Sequence, residues 1–467
     1  MRLARVLPFS DAVSAGRPLG QLLRLSLFQV SVGMASVMLL GTLNRVMIVE
    51  LSVGATLVAA MIALPVLVAP FRALLGFRSD THRSAIGWKR IPYLWFGSLW
   101  QFGGLSIMPL ALLVLVGAST LDAPFVGQVA AALAFLMTGL GLHMTQTAGL
   151  ALACDRADEA SRPRVVALLY VMFLAGMGLS ALLIGWLLTD FTPLLLVRVV
   201  QGAAVAGLLL NLVALWRQER LLPMTKAQRE APRPLFRDAW RDLLAGGMAG
   251  RLLVVTFLGT LAFNMQDVLL EPYGGEILGL SVSTTTLLTA AWATGALLAF
   301  ARAARRLGRG ADPFRLGATG LLVGLSAFSA VIFAAPMGSA GLFFAGAALI
   351  GFGGGLFAVS TLTAAMTLPA GGAAGRGLAL GAWGAAQATA AGLAIALGGG
   401  IRDGVNRAAE AGLLGDALAD PATGYSVVYH LEIGLIFVTL ALLGPLVRAG
   451  GSARSGDARL RLAEFPT

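Results

Sequence analysis

Long apolar runs constrain this chain more than any other feature. A helix needs about 20 apolar residues to cross a bilayer, and runs of that length recur along the whole sequence. Hydrophobic residues make up 57% of the chain and charged residues only 12%, whereas soluble domains carry about 25% charged residues. Such a composition cannot be enclosed in one aqueous globule. We therefore predict an integral membrane protein.

The runs are continuous, which favours helices over the alternating strands of a membrane barrel. Glycine is abundant, with 59 residues, and this suits close contact between membrane helices. We predict an all-α membrane protein with twelve transmembrane helices. The predicted spans lie near residues 25–49, 55–75, 91–117, 125–151, 164–188, 193–216, 251–271, 283–303, 314–335, 339–366, 374–400 and 426–447.

The charges predict the topology. Basic residues concentrate after spans 2, 4, 6, 8 and 12, whereas the alternate loops carry mostly acids such as Asp122 and Asp190. By the positive-inside rule both termini are cytoplasmic. This explains the net charge of +11 without a nucleic-acid partner. The predicted segments are a cytoplasmic N-terminal arm at 1–20, a six-helix bundle at 21–216, a basic cytoplasmic linker at 217–250, a second six-helix bundle at 251–448 and a cytoplasmic tail at 449–467.

Other features exclude several classes of protein. The single cysteine, Cys154, excludes a disulfide framework. The N-terminus has Arg2 and Arg5 but no apolar core with a cleavage site, so we expect the first span to act as its own insertion signal. We find no phosphate-binding loop, no spaced metal-ligand set and no nucleophile with a base partner, so an enzyme is not predicted.

Six spans, a basic linker and six further spans are the layout of the major facilitator superfamily, which consists of two six-helix pseudo-repeats. The loop 76–90 resembles the signature that this superfamily carries between helices 2 and 3. In that signature a glycine precedes an aspartate and a basic cluster, although the basic residues are spread further apart here. The matching residues are Gly76, Asp80, Arg83, Lys89 and Arg90.

This resemblance implies a gate on the cytoplasmic side. We expect Asp80, Arg83 and Asp155 to form a charge cluster there, because such clusters bias the two access states in the superfamily. The alternative is a solvated run of charges.

Ionisable residues within spans are functional candidates by default, and they suggest a second gate. Asn264, Asp267 and Glu271 are spaced to share one face of span 7. Spans 1 and 7 are equivalent by pseudo-symmetry, so we predict an ion pair of Arg45 with Asp267 or Glu271 near the periplasmic mouth. Alternatively, Arg45 and Glu271 extend to the interface without pairing.

One face of span 1 carries polar and small residues, among them Gln29, Gly33, Ser36 and Asn44. This pattern is typical of a cavity face, and it is equally typical of helix packing. The two interpretations stay open at this point.

Histidines and glutamines within spans are the candidates for ligand binding. His143 lies in span 4, and Gln146 follows it on the helix. A neutral imidazole can ligate a metal, including the magnesium of a chlorophyll; the alternative is a histidine that is only hydrogen-bonded within the bundle. His430 and Gln387 are further candidates, whereas His82 belongs to the cytoplasmic loop.

Several long motifs go beyond the superfamily. LRLSLFQVSVGM, APFRALLGFRSDTHRSAIGWKRIPYLWFGSL, MQDVLLEPYGGEILGLS and LGAWGAAQATAAGLA resemble the PucC and LhaA family of photosynthetic bacteria, from roughly Leu7 to Arg448. The resemblance implies a protein that assembles light-harvesting antenna complexes and delivers bacteriochlorophyll as bound cargo. The implied partners are antenna polypeptides, reaction-centre or pigment-synthesis proteins and membrane lipids. The implied location is the bacterial cytoplasmic (inner) membrane, including its photosynthetic intracytoplasmic extension.

Two other functions remain as alternatives. The protein could hold antenna polypeptides as a scaffold without transport. It could also be a proton-coupled carrier of a small solute, which would need several charged groups deep in its cavity. We find few such groups in the predicted spans, so the sequence favours the first two functions.

Overall fold

The computed structural model of the protein describes residues 19–462 apart from a set of short gaps. Within the described residues the regular secondary structure is helical, without a β-strand. The gaps are residues 45, 48–50, 52, 54, 85–86, 118–122, 159–160, 189–191, 220–223, 231–233, 246, 281, 369–374 and 416–417.

The chain divides into two compact units, Met1–Leu243 with Leu368–Ala385, and Leu244–Thr367 with Ala386–Thr467. The helices of the first unit are α1 (Leu19–Val37), α2 (Ala55–Leu67), α3 (Arg72–Asp80), α4 (Ile91–Leu115), α5 (Pro124–Arg156), α6 (Arg162–Leu187), α7 (Pro193–Leu215), α8 (Lys226–Glu230) and most of α9 (Phe236–Ala245). Those of the second unit are α10 (Met248–Asn264), α11 (Leu270–Glu276), α12 (Val282–Gly308), α13 (Pro313–Ala334), α14 (Ala340–Thr367) and α16 (Ala422–Leu462). Helix α15 (Arg376–Glu410) begins in the first unit and ends in the second.

Eleven helical stretches of the described residues are long and apolar enough to cross a membrane. They lie where eleven of the twelve predicted spans were placed. The remaining predicted span, near 283–303, forms α12, a helix of 27 residues that carries Arg302, Arg305 and Arg306. The prediction of an all-helical, multi-pass membrane protein is therefore confirmed, while the cytoplasmic placement of the termini stays a prediction.

Local sequence signals set where many of these helices begin. Pro124, Pro193 and Pro313 each occupy the first turn of a helix, where the missing amide hydrogen has no intrahelical partner to lose. The Thr192 hydroxyl accepts a hydrogen bond from the Leu195 amide at 3.1 Å, and an oxygen of Asp312 accepts one from Phe314 at 2.7 Å. Such caps satisfy amides that the helix itself leaves free.

Two segments are more ordered than the sequence predicted. The predicted loop 76–90 is helical as far as Asp80, because α3 continues span 2 after a short 3-10 turn at Ala69–Phe71. The predicted linker 217–250 contains α9, whose Phe236 ring contacts Phe77 of α3 edge-on at 5.5 Å between centroids. The linker is therefore helical and packed against α3 at this point.

Small residues allow the closest helix contacts in both units. In the first unit α4 packs along α5, where a Cβ at Gly141 would overlap the backbone of Gly97 and Gln101. In the second unit α13 packs along α14, and a Cβ at Gly320 would overlap the carbonyl of Gly353. These pairs are the third and fourth spans of each sequence half, so the same close pairing recurs in both halves. Such contacts let backbones approach in a lipid environment.

We expect Gly141→Ala to destabilise the protein by roughly 1–3 kcal/mol, because the added methyl group must push α4 and α5 apart. Gly178→Ala is the matched control, since Gly178 lies on an exposed part of α6 and a Cβ there meets no atom within 4 Å. Thermal unfolding of the purified protein in detergent measures both. Equal unfolding temperatures for the two variants would contradict the assigned packing.

Candidate functional site

A partly buried charge cluster lies at the C-terminal end of α3 in the first unit. The carboxylate of Asp80 accepts hydrogen bonds from the backbone amides of Gly377 at 2.9 Å and Leu378 at 2.8 Å. These amides belong to the first turn of α15, where the helix dipole also favours a negative charge. Gly76, one turn before Asp80, packs against the carbonyl of Gly377 with no room for a Cβ.

Arg90 joins this carboxylate to a second acid. Its guanidinium donates to Asp80 at 2.5 Å, to the Ser79 hydroxyl at 2.6 Å and to Asp155 at 3.1 Å. Burial lowers the pKa of Arg90, but the charges of Asp80 and Asp155 outweigh this effect and raise the pKa above its usual value. The arginine therefore stays charged. We name Ser79, Asp80, Arg90, Asp155 and Arg376 the Asp80 cluster; Arg376 lies 3.8 Å from Asp155.

The structure thus brings together three predicted cytoplasmic gate residues, Asp80, Arg90 and Asp155. Lys89 contributes its backbone amide, which donates to Glu219 at 2.9 Å while its side chain is exposed. Arg83 lies half-buried on the loop after α3.

Sequence reasoning missed two members of this region. Glu219 accepts the amides of Arg90 at 3.1 Å and Ile91 at 3.2 Å, and so caps the start of α4. Arg376 begins α15 and pairs with Asp155. The available signal for Arg376 was a basic residue at the start of the predicted span 374–400.

Arg72 was also overlooked, although it lies inside a predicted span. Its side chain is only 2% exposed, and its Nε donates to the Thr147 hydroxyl at 3.1 Å. The guanidinium packs against Gly384 of α15, and its Nη2 has no hydrogen-bond partner among the described residues. A charge inside a span is costly to bury. The arginine in the apolar run 55–75 was therefore the sequence signal that could have identified Arg72 as a candidate residue.

His143 is buried, and one of its ring nitrogens is already engaged. Nε2 lies 2.8 Å from the carbonyl oxygen of Pro65, which only accepts, so Nε2 carries the hydrogen. The other nitrogen, Nδ1, is enclosed and has no partner in the described part of the chain. Gly139, one turn away, packs against the Pro65 ring. His143 thus joins α5 to α2, and neither nitrogen is presented to a ligand.

The other candidates in the first unit are dispersed. Gln29 is buried with its carbonyl oxygen unpaired among the described residues, and Gly33 on the same face packs against Gly176 and neighbouring backbone of α6. That part of the face serves helix packing. Asn44 and Gln146 are half-buried.

The three residues of span 7 that were predicted for a periplasmic gate do not lie on one face of a continuous helix. Arg45 lies outside the described residues. Span 7 is interrupted by a 3-10 turn at Met265–Val268 between α10 and α11, so Asn264, Asp267 and Glu271 do not follow one regular helix. Asp267 accepts a hydrogen bond from the side chain of Gln266, and Glu271 accepts one from Thr289 at 2.8 Å.

Two polar groups of the second unit were not predicted. Glu432 of α16 is fully buried, and its carboxylate accepts the amide of Gln266 at 2.7 Å. Arg402 donates to Glu276 at 2.5 Å and to the Tyr425 hydroxyl at 2.8 Å, and that hydroxyl donates to Glu276 at 2.7 Å. Its guanidinium carbon also lies 4.6 Å from the Tyr425 ring centre, a cation–π contact.

His430 is the candidate ligand residue that lines a groove. This groove on α16 has a volume of about 400 Å³ and is lined by Leu418, Thr423, Ser426, Val427, His430, Leu431 and Gly434. Nδ1 of His430 lies 2.7 Å from the Ser426 carbonyl oxygen. Gln387, on α15, is half-buried.

Solved structures define the class of this fold. The chain is similar to a bacterial homologue of the iron transporter ferroportin in an outward-facing state, with a TM-score of 0.68 and 18% identity over 91% of this chain and 98% of that one. It is also similar to FucP, a major facilitator superfamily transporter, with a TM-score of 0.64 and 13% identity over 94% of this chain and 99% of that one. The protein is therefore a multi-pass membrane protein with the major facilitator fold.

Within that class the sequence defines a narrower group. The family described as PUCC protein matches residues 42–451. Protein PucC of Rhodovulum sulfidophilum is 54% identical over 86% of this chain and 89% of its own length. An uncharacterized protein in the puhA-bchM intergenic region of Rhodobacter capsulatus is 63% identical over 99% of this chain and 97% of its own length. The chain belongs to the PUCC protein family, as its motifs predicted.

We expect Arg90→Gln to destabilise the first unit by roughly 3 kcal/mol, because it leaves Asp80 without its buried partner. Arg241→Gln is the control, since Arg241 forms an exposed pair with Asp238 at 3.4 Å, and such pairs contribute about 1 kcal/mol or less. Chemical unfolding in detergent measures both. If the two variants lose the same stability, the pairing of Arg90 with Asp80 and Asp155 does not stabilise the first unit.

Proposed function

We propose that this protein assembles the light-harvesting antenna complexes of a photosynthetic bacterium, and that it holds bacteriochlorophyll in the membrane and passes it to antenna polypeptides. The observation that carries this proposal is the relationship with PucC proteins over nearly the whole chain. A more distant relative, 28% identical over 93% of this chain and 97% of its own length, is named the bacteriochlorophyll synthase 44.5 kDa chain of Rhodobacter capsulatus.

The fold suits such a cargo. Bacteriochlorophyll is a flat magnesium macrocycle with a long apolar tail, so it is soluble in the bilayer rather than in water. A multi-pass helical protein can offer it a surface within the membrane. The role is non-enzymatic, and the location that fits it is the bacterial inner membrane with its photosynthetic extension. Reaction-centre and pigment-synthesis proteins are the further partners of this proposal.

The contacts of the Asp80 cluster are consistent with a conformational change during the proposed function. The Asp80 carboxylate joins α3 to the first turn of α15 by accepting the amides of Gly377 and Leu378. These hydrogen bonds would have to break and re-form if the two helices move apart during cargo transfer. We assign this cluster the role of a reversible lock. Without such motion the same cluster would simply stabilise a scaffold for antenna polypeptides.

One observation favours a second candidate, a proton-coupled carrier. Glu432 is a carboxyl group buried within a candidate span, and such groups mark proton relays in other carriers. If this function is correct, the wild-type protein in liposomes will move protons when a solute gradient is applied, and Glu432→Gln will abolish that movement. Pigment binding without any proton movement would reject it.

We expect deletion of the gene in its photosynthetic host to lower the near-infrared antenna absorption of the membranes and the wild-type gene to restore it. In a host without antenna polypeptides, the protein purified in mild detergent should retain bacteriochlorophyll in near-stoichiometric amount. Pigment extraction and an absorption spectrum measure this. Unchanged antenna absorption in the deletion strain would overturn the assembly function.

The pigment measurement separates the two assembly mechanisms. Bound pigment in the absence of antenna polypeptides supports delivery. Loss of antenna on deletion, with no pigment on the purified protein but antenna polypeptides that co-purify with it, would replace delivery by a scaffold.

A further inference from the structure

The groove beside His430 has the chemistry of a binding site. It lies on a candidate span, Ala422–Arg448, and its volume of about 400 Å³ falls within the range of small-molecule sites. Its walls are mainly apolar, with Leu418, Val427 and Leu431 among them. His430 and Leu431 are exposed in the described structure, so a molecule dissolved in the bilayer could reach the groove from the side.

A hydrogen bond fixes which nitrogen of His430 is available. Nδ1 lies 2.7 Å from the carbonyl oxygen of Ser426. A carbonyl oxygen only accepts, so Nδ1 carries the hydrogen and Nε2 of the neutral ring keeps its lone pair. Metal-ligating histidines commonly donate their other nitrogen to a backbone carbonyl in this way, which orients the ring. His430 is therefore prepared as a ligand through Nε2.

The surroundings of His430 restrict the kind of metal that could bind. Among the described residues, no group of three or more His, Cys, Asp or Glu side chains could hold a metal ion. A bare ion would find one ligand here and would not be retained. A metal that already has four equatorial ligands needs only one more. A flat macrocycle with a central metal meets this requirement, and its apolar faces match the walls of the groove.

The position of His430 along α16 and the free space beside it are compatible with such a ligand. His430 lies eight residues after the start of α16 at Ala422, which places it about 12 Å along the helix axis. Gly434 is one turn further along the same face, and a Cβ built there meets no atom within 4 Å. The groove next to the imidazole is thus open at this position.

The contrast with His143 sharpens this assignment. Both histidines lie within candidate spans. His143 has engaged Nε2 in a bond to Pro65 and is enclosed, so it joins two helices. His430 has engaged Nδ1 and is exposed at a groove.

We propose that the groove on α16 binds a metal-bearing tetrapyrrole, with Nε2 of His430 as the axial ligand to its metal. This inference rests on the proposed function, for which it names the site of cargo binding. The second unit then carries the ligand, whereas the lock that we assign to the Asp80 cluster is in the first unit.

The test measures binding of bacteriochlorophyll a to the purified full-length protein in detergent. The shift of the pigment's absorption bands reports the binding. His430→Ala should weaken this binding roughly tenfold or more, the order of loss seen when metal coordination is impaired. Bacteriopheophytin a, the same pigment without magnesium, should bind wild type and variant alike. Added imidazole should restore binding to a His430→Gly variant, because it replaces the missing ligand.

Two further variants complete the design. Gly434→Phe should reduce binding of both pigments, because Gly434 lines the groove and the added ring would occupy it. A Cβ at this position meets no atom within 4 Å, so the variant should still fold. His82→Ala should change nothing, because His82 is outside the groove and contacts the Tyr93 ring at 5.4 Å between centroids. Haem is tested in parallel. Tighter binding of haem than of bacteriochlorophyll, with the same loss on His430→Ala, would keep the site and identify haem as its cargo.

The outcomes separate this inference from the proposed function. If bacteriochlorophyll binds equally to wild type and His430→Ala, the axial ligand is wrong while pigment handling survives. If the wild type binds neither pigment nor haem, the groove is only a lipid contact. That result overturns the site, and the deletion strain then decides whether the assembly function stands.

Discussion

The carboxylate of Asp80 is the contact on which the packing of the first unit depends. It receives two amides from the first turn of α15 and the guanidinium of Arg90 at the same time. Without it, Arg90 would be a buried cation with only Asp155 as an acidic partner, and the start of α15 would lose its cap. A buried pair of this kind is stable only while every partner is present. The same requirement makes it suitable as a lock that opens as a unit.

The membrane imposes the other constraint. Since lipid cannot satisfy backbone groups, the spans must be helices, and close contacts come from small residues such as Gly141 and Gly320. Ionisable side chains then need partners inside the protein. Arg402 finds them in Glu276 and Tyr425, with its Nε unpaired among the described residues. Arg72 and Glu432 are almost fully buried, and each also keeps one polar atom without a partner among those residues. Those two residues are the places where further coupling to water, protons or cargo should be sought.

The sequence predicted most of the fold and part of the site. Asp80 and Asp155 were expected to share a cluster with Arg83, because a superfamily motif and a loop acid lie at the same end of neighbouring spans. The structure joins the two acids through Arg90, another basic residue of that motif. Arg376 and Glu219 were missed, since they are distant in sequence and are joined to this cluster only by tertiary packing. Asn264, Asp267 and Glu271 were assigned to one helix face, which a 3-10 turn disrupts. The spacing of residues along an apolar run assumes a regular α-helix, so it cannot reveal a 3-10 turn within that run.

Apolar runs and motifs were sufficient by themselves to determine a helical membrane protein of the PUCC family. Hydrophobicity acts through composition and length, so a linear sequence reveals it. The roles of the two histidines were decided only by tertiary structure. His143 and His430 look alike in sequence, each within an apolar span. The difference is which ring nitrogen meets a backbone carbonyl and whether the other one is enclosed, and that depends on where neighbouring backbone lies in space.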